Sequence, residues 1–177
     1  MSDILFRVLR AAKLEPKVFQ ELGGGDSKTW QAIMVAGGAF LISGLFPLMI
    51  GPGDFQFSRW IFWAALMTVM TVLYLVVGVP LYLVTGSQFG GQGNFIGMFR
   101  GIGYAAAPVA VGVIPFIGAF VGGVWAMAAT VVAVREIHKI STGKAVATVL
   151  IVLVELALIL PRGQPRHFRN VSLSDTT

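Results

Sequence analysis

Between Arg100 and Arg135 the chain runs for thirty-four residues without a charged side chain. As one α-helix that stretch would measure ~51 Å at 1.5 Å per residue, whereas the hydrocarbon core of a bilayer is only ~30 Å thick. It must either cross once with a long overhang or fold back on itself. Pro108 and Pro115 both lie inside it, and a proline in a helix interior removes a backbone hydrogen bond. Geometry therefore favours a fold-back at Pro115, with segments at 101–115 and 117–135. Each is slightly short for a crossing, a mismatch that bundle packing or local thinning absorbs.

The remainder of the chain is of the same kind. Hydrophobic residues make up 56% and charged residues 12% of the sequence, about half the ~25% charge of a soluble domain. The apolar residues come in blocks long enough to span. A cytoplasmic N-terminal segment is expected at 1–29, a membrane domain at 30–161 and a polar tail at 162–177. Within the membrane domain, spans are placed at about 30–50, 60–84, 101–115, 117–135 and 143–160. The expected fold is an all-α, polytopic membrane helical bundle of five transmembrane helices. Trp30 and Trp60 stand at the starts of their spans, as interfacial anchors do.

Residues 2–13 read as an amphipathic helix. Ile4, Leu5, Val8, Leu9 and Ala12 share one arc, Arg7, Arg10 and Lys13 lie opposite, and Phe6 breaks the pattern. Such a helix suits a membrane surface or the protein's own cytoplasmic face. Pro16 opens a second short helix and Gly23 to Gly25 end it. No cleavable leader is evident in residues 1–29, so the first span is expected to act as its own insertion signal.

Lysine and arginine placement orients the bundle. Nine of the thirteen fall on the side of the N-terminus, whether the 101–135 stretch crosses once or twice. The N-terminus is accordingly expected in the cytoplasm. Basic residues cluster at the ends of apolar blocks, where lipid phosphates meet them, so the net charge of +5 does not indicate a nucleic-acid partner.

Chemistry is sparse. The absence of cysteine excludes disulfides, thiolate metal sites and cysteine nucleophiles. "HKISTGKA" lacks the first glycine and the final hydroxyl of a phosphate loop. "GGQGNFIG" lacks the third glycine of a dinucleotide fingerprint and reads as a flexible connection. His138 and His167 are far apart with no zinc-type pattern. No catalytic residue, metal site or cofactor is expected.

Two features remain. Glu155 sits inside the last span, where an ionisable group is costly and faces the bundle. Thr68, Thr71 and Tyr104 are its candidate hydrogen-bond partners. Arg135, Glu136, His138 and Lys139 form a charged collar at the end of the fourth span, with Arg135 and Lys139 sharing a face at i, i+4 spacing. Small residues at Gly118-x-x-x-Gly122, Ala119-x-x-x-Gly123 and Ala106-x-x-x-Ala110 suit close helix packing.

The order of features resembles the Yip-domain family of Ypt/Rab-GTPase-interacting membrane proteins, in a compact bacterial form. The amphipathic lead-in "ILFRVLRAAKLEPKVFQEL", the pattern Gly103-Tyr104-x-x-x-Pro108, and the fourth-span exit "VWAMAATVVAVREIHKISTGKAV" carry the likeness. It implies a five-helix bundle with a cytoplasmic N-terminus, in a bacterial inner membrane. The Asp-Leu-x-Gly-Pro element of the eukaryotic members is missing, so a Rab-type GTPase is not the expected partner.

The function expected is that of a non-catalytic scaffold or accessory subunit. It would contact membrane lipids and a membrane-protein partner, or a second copy, through Arg7, Arg10, Lys13 and the collar. The alternative is a small transporter or channel subunit using Glu155. Five crossings put the two ends of the chain on opposite faces. Reporter fusions at Thr177 and within 51–59 are expected on the same face, opposite a tag at Met1, and a shared face for Met1 and Thr177 would refute the count.

Overall fold

A computed structural model describes residues 2–24, 29–45, 57–114 and 116–159. Among them lie seven α-helices and no strand: α1 (Ser2–Ala12), α2 (Pro16–Gly24), α3 (Thr29–Ser43), α4 (Phe57–Gln88), α5 (Phe95–Ala105), α6 (Gly118–His138) and α7 (Thr142–Ile159). A 3-10 helix, Ala107–Val113, continues α5.

The third span starts earlier than its charge pattern suggests. Asn94 caps α5, its Oδ1 accepting the Gly97 N–H at 2.7 Å. This cap satisfies a backbone donor that the helix start leaves unpaired and draws residues 95–100 into the helix. Pro108 has no N–H to continue the α-helical ladder, and the segment tightens into the 3-10 form there. The chain then turns through Phe116 and Ile117, and α6 packs back along the 3-10 helix and α5. Pro115 itself lies outside the described residues. Phe116 adopts a left-handed backbone, φ 65°, and its ring is almost fully exposed.

Glycine lets these helices touch. A Cβ on Gly122 would lie 2.8 Å from the Pro108 carbonyl oxygen, and one on Gly118 would overlap the carbonyl of Val111. Against α3, a Cβ on Gly103 would come within 2.7 Å of the Ala32 Cβ and 2.9 Å of its carbonyl oxygen. Gly123 faces open space, so the Ala119-x-x-x-Gly123 row does not pack along its length. In lipid, where apolar association brings little, such close van der Waals contact is what holds helices together. Met98, Ile102 and Tyr104 of α5 are buried in this core with Phe19 and Leu22 of α2.

The expectation of five membrane-length helices is corrected. Among the described residues three helical stretches are long and apolar enough to cross: Ile61–Gln88, Phe95–Val113 and Gly118–His138. At 15 residues, α3 reaches only ~22 Å, and the residues expected to complete its span, 46–50, lie outside the described set. The α7 helix ends at the last described residue and carries both Lys144 and Glu155. The α4 helix continues past the expected boundary at 84 to Gln88, with Pro80 in its interior.

The N-terminal helix also departs from its expected pose. It packs on α2, α5, α6 and the 3-10 helix, burying Ala11 and partly burying Val8. The single apolar arc is divided in two. Ile4, Leu5 and Val8 line a groove against α3 and the 3-10 helix, and Leu5, at its edge, is like Phe6 and Leu9 about 60% exposed. The residue that broke the pattern, Phe6, thus belongs to a second, outward apolar row.

Replacing Gly103 with leucine forces α5 away from α3. Overpacking of this kind is expected to cost about 1–3 kcal/mol, read as a lower thermal midpoint of the detergent-solubilised protein, with Gly123→Leu as the unaffected control.

Candidate functional site

One end of the bundle carries a polar cleft of about 670 Å³. Its walls come from three places that are distant in sequence. The α2 helix contributes Gln20 and Gly23, the segment before α5 contributes Gln92 and Asn94, and the end of α6 contributes Arg135, Glu136 and Lys139. Gln20 Nε2 donates to Glu136 Oε2 at 2.7 Å, and Asn94 Nδ2 donates to the Gly23 carbonyl at 3.2 Å. These two bonds clamp α2 across the mouth. Arg135 donates from Nε to Glu136 Oε1 at 2.7 Å and from Nη1 to Thr142 Oγ1 at 3.3 Å.

Three of the four collar residues, Arg135, Glu136 and Lys139, line the cleft, while His138 is buried. Helix α6 ends at His138, and Lys139 caps it in the left-handed region at φ 55°. The Lys139 N–H still bonds the Arg135 carbonyl, and Arg135 and Lys139 line the same cleft. Arg135 and Glu136 pair with each other at 2.6 Å, while Lys139 is exposed.

His138 is the plainest correction. Expected as a surface contact, it is 1% exposed. Its Nδ1 accepts the Gly93 N–H at 3.2 Å, and its Nε2 lies 3.2 Å from the Tyr82 carbonyl oxygen, to which it donates. Those two roles require the neutral Nε2–H tautomer. Three glycines make the space. A Cβ on Gly86 would lie 2.5 Å from the ring, one on Gly93 would lie 2.9 Å away, and one on Gly91 would overlap Nδ1. The ring's own backbone carbonyl accepts the Gln92 N–H at 3.1 Å. The glycine-rich stretch that reads as a flexible connection is the fitted wall of an imidazole cage. Beside it, Lys144 Nζ donates to the Phe89 carbonyl at 3.0 Å.

The remaining singled-out residues scatter. Arg10 is engaged by Glu15 at 2.8 Å and Glu21 at 3.2 Å, so it is not presented to phosphates as the sequence suggested. Arg7 is half-buried beside the Tyr104 hydroxyl, which itself donates to Gln31 Oε1 at 3.2 Å. Lys13 stays exposed past the end of α1. Glu155 Oε2 is enclosed with no hydrogen-bond partner among the described residues. Its three candidate partners are engaged elsewhere: Thr68 and Thr71 donate to the carbonyls of Ala64 and Met67 in their own helix, and Tyr104 to Gln31. Among the described residues no group of three or more His, Asp or Glu is placed to hold a metal ion.

A family model, the Yip1 domain, matches residues 14–161. The chain belongs to the Yip1-domain family. No curated protein and no solved structure matches it. The matched stretch of this Yip1-domain protein takes in α2, the imidazole cage and the whole cleft, and begins after α1. Gly103, Tyr104 and Pro108 do not reach the cleft. They set the packing of α5 on α3, the anchorage of α1 and the switch to 3-10 geometry.

Sequence reading missed Gln20, Gln92 and Asn94. Asn94 had a usable signal, a capping residue directly before an apolar helical run. The two glutamines had none.

Replacing His138 with alanine empties the cage and strands the Gly93 N–H. The expected loss is roughly 2–4 kcal/mol. Nitrogen-15 spectra of labelled His138 should report the Nε2–H tautomer, and the Nδ1–H tautomer or an imidazolium at pH 7 would contradict the cage geometry.

Proposed function

We propose that this Yip1-domain protein is a non-catalytic scaffold or accessory subunit of a membrane complex, docking a partner protein in the polar cleft. The observation that carries the reading is the chemistry of the cleft wall. Gln92 presents a whole amide and Gln20 its carbonyl oxygen, groups that pair with a peptide backbone, while Gln20 Nε2 and both polar atoms of Asn94 are engaged within the protein and hold the wall in shape. Lys139 at the rim adds a charge that favours an acidic segment. The wall is held in place by the imidazole cage beneath it, so the cleft is formed before a partner arrives, which lowers the ordering cost of binding.

The bundle would cross the membrane five times, α3 and α7 taking part in the two crossings beyond the three helices of membrane length. Its N-terminus and the cleft would face the cytoplasm of a bacterium, following the excess of lysine and arginine on that side. A second reading, a small transporter or channel subunit, draws on the enclosed Glu155 oxygen. A single intramembrane acid without several other polar groups is thin equipment for transport.

Affinity capture of the tagged full chain from native membranes in mild detergent tests this. A stoichiometric partner is expected, and Lys139→Glu should reduce its recovery about tenfold, the effect of ~1.4 kcal/mol, with the yield of folded protein unchanged. Recovery of a homo-oligomer alone, with ion flux in vesicles abolished by Glu155→Gln, would favour the second reading instead.

A further inference from the structure

We infer that the bilayer meets this protein at two heights, its surface on the His138 side lying far deeper beside α1 and α2 than beside α4 and α7. The inference rests on the membrane-spanning reading and not on any docked partner.

The α6 helix serves as the ruler. Trp125 Nε1 donates to the Ala12 carbonyl at 2.7 Å. Trp125 stands thirteen residues before His138, which is ~20 Å along the helix. The corner joining α1 to α2 is therefore carried about two thirds of the way along a span-length helix. That corner is charged: Lys13 and Lys17 are exposed, and Arg10 sits there with Glu15 and Glu21. Asp3, still further along α1, is exposed as well. Charges of this density do not lie in hydrocarbon, and a lysine stem reaches only a few ångströms by snorkelling.

The opposite flank is different. Lys144 lies at the level of His138, since it donates to the Phe89 carbonyl beside the imidazole cage. Immediately above it, Val84, Val146, Leu150 and Ile151 are exposed, from 38% to 57%. Such a row suits acyl chains from almost the His138 level upward.

The boundary is thus offset by on the order of 20 Å across the bundle. Two helix diameters amount to about 20–24 Å, so rigid tilt alone would need ~40–45°, at or beyond the upper end of observed helix tilts, ~40°. The leaflet itself must bend inward beside α1. The outward row of Leu5, Phe6 and Leu9 then enters acyl chains at the floor of the depression, and Lys13 and Lys17 meet phosphates around it. The surface selects a loosely packed, anionic leaflet, and it lies in a helix that precedes the residues matched by the family model.

The chain contains no cysteine, so single cysteines can be spin-labelled in the full-length protein. Leu9→Cys, Lys13→Cys and Leu150→Cys would each be reconstituted in phosphatidylcholine–phosphatidylglycerol vesicles, and depth read from collisions with oxygen against a nickel chelate. By the α6 ruler, Lys13 stands further from the His138 end than Leu150. The expected order is the reverse: the Lys13 label at headgroup level, the Leu150 label in hydrocarbon, and the Leu9 label in shallow hydrocarbon. A Lys13 label deeper than the Leu150 label, a Leu150 label in water, or a Leu9 label in bulk water would each overturn the inference. Reaction of the same cysteines with impermeant and permeant maleimides gives an independent ordering. Loss of partner capture by Lys139→Glu leaves these depths unchanged, which separates this test from that of the docking role.

Discussion

One imidazole ring fixes the polar end of this molecule. His138 joins the end of α4, the segment before α5 and the end of α6 through two side-chain hydrogen bonds and one from its own carbonyl. A buried polar ring is tolerable only when both nitrogens are satisfied, and here each partner is a backbone group that cannot rotate away. Gly86, Gly91 and Gly93 are the condition for it, because any side chain at these positions would enter the ring's volume. With the cage closed, Asn94 is placed to cap α5 and hold the Gly23 carbonyl, so α2 is drawn across the mouth of the cleft.

The opposite half depends on proximity. The 3-10 helix and α6 pack through Gly118 and Gly122 against backbone carbonyls, giving close dispersion contact in a medium that offers little other drive for association. The 3-10 geometry itself follows from Pro108, which cannot continue the α-helical ladder. Together α5 and the 3-10 helix make one rod of span length from two kinds of helix, an arrangement that a strictly α-helical reading of 101–115 does not anticipate.

The N-terminal helix shows how a bundle alters an amphipathic segment. Of two readings of residues 2–13, surface-lying and self-packed, the helix realises the second along part of its surface. Ile4, Val8 and Ala11 meet protein, while Leu5, Phe6 and Leu9 face outward. The basic residues opposite divide as well: Arg7 turns toward Tyr104, Arg10 is neutralised by two glutamates, and Lys13 alone stays free of such contacts. Charge on a helical wheel gives the side a residue occupies, and the neighbours decide what that side means.

What the sequence determined by itself is the class of the molecule and its reversal of direction. Thirty-four uncharged residues interrupted by prolines favour a fold-back over one overlong helix, by helix rise, bilayer thickness and the hydrogen bonds that prolines remove. The family was likewise legible, in the spacing of Gly103, Tyr104 and Pro108 and in the residues around Arg135. Only the tertiary structure decided that His138 is buried rather than presented, that a glycine-rich connection is a cage, and that α1 stands far along α6. Each of these depends on which backbone groups from distant segments meet, and local periodicity carries no record of such meetings.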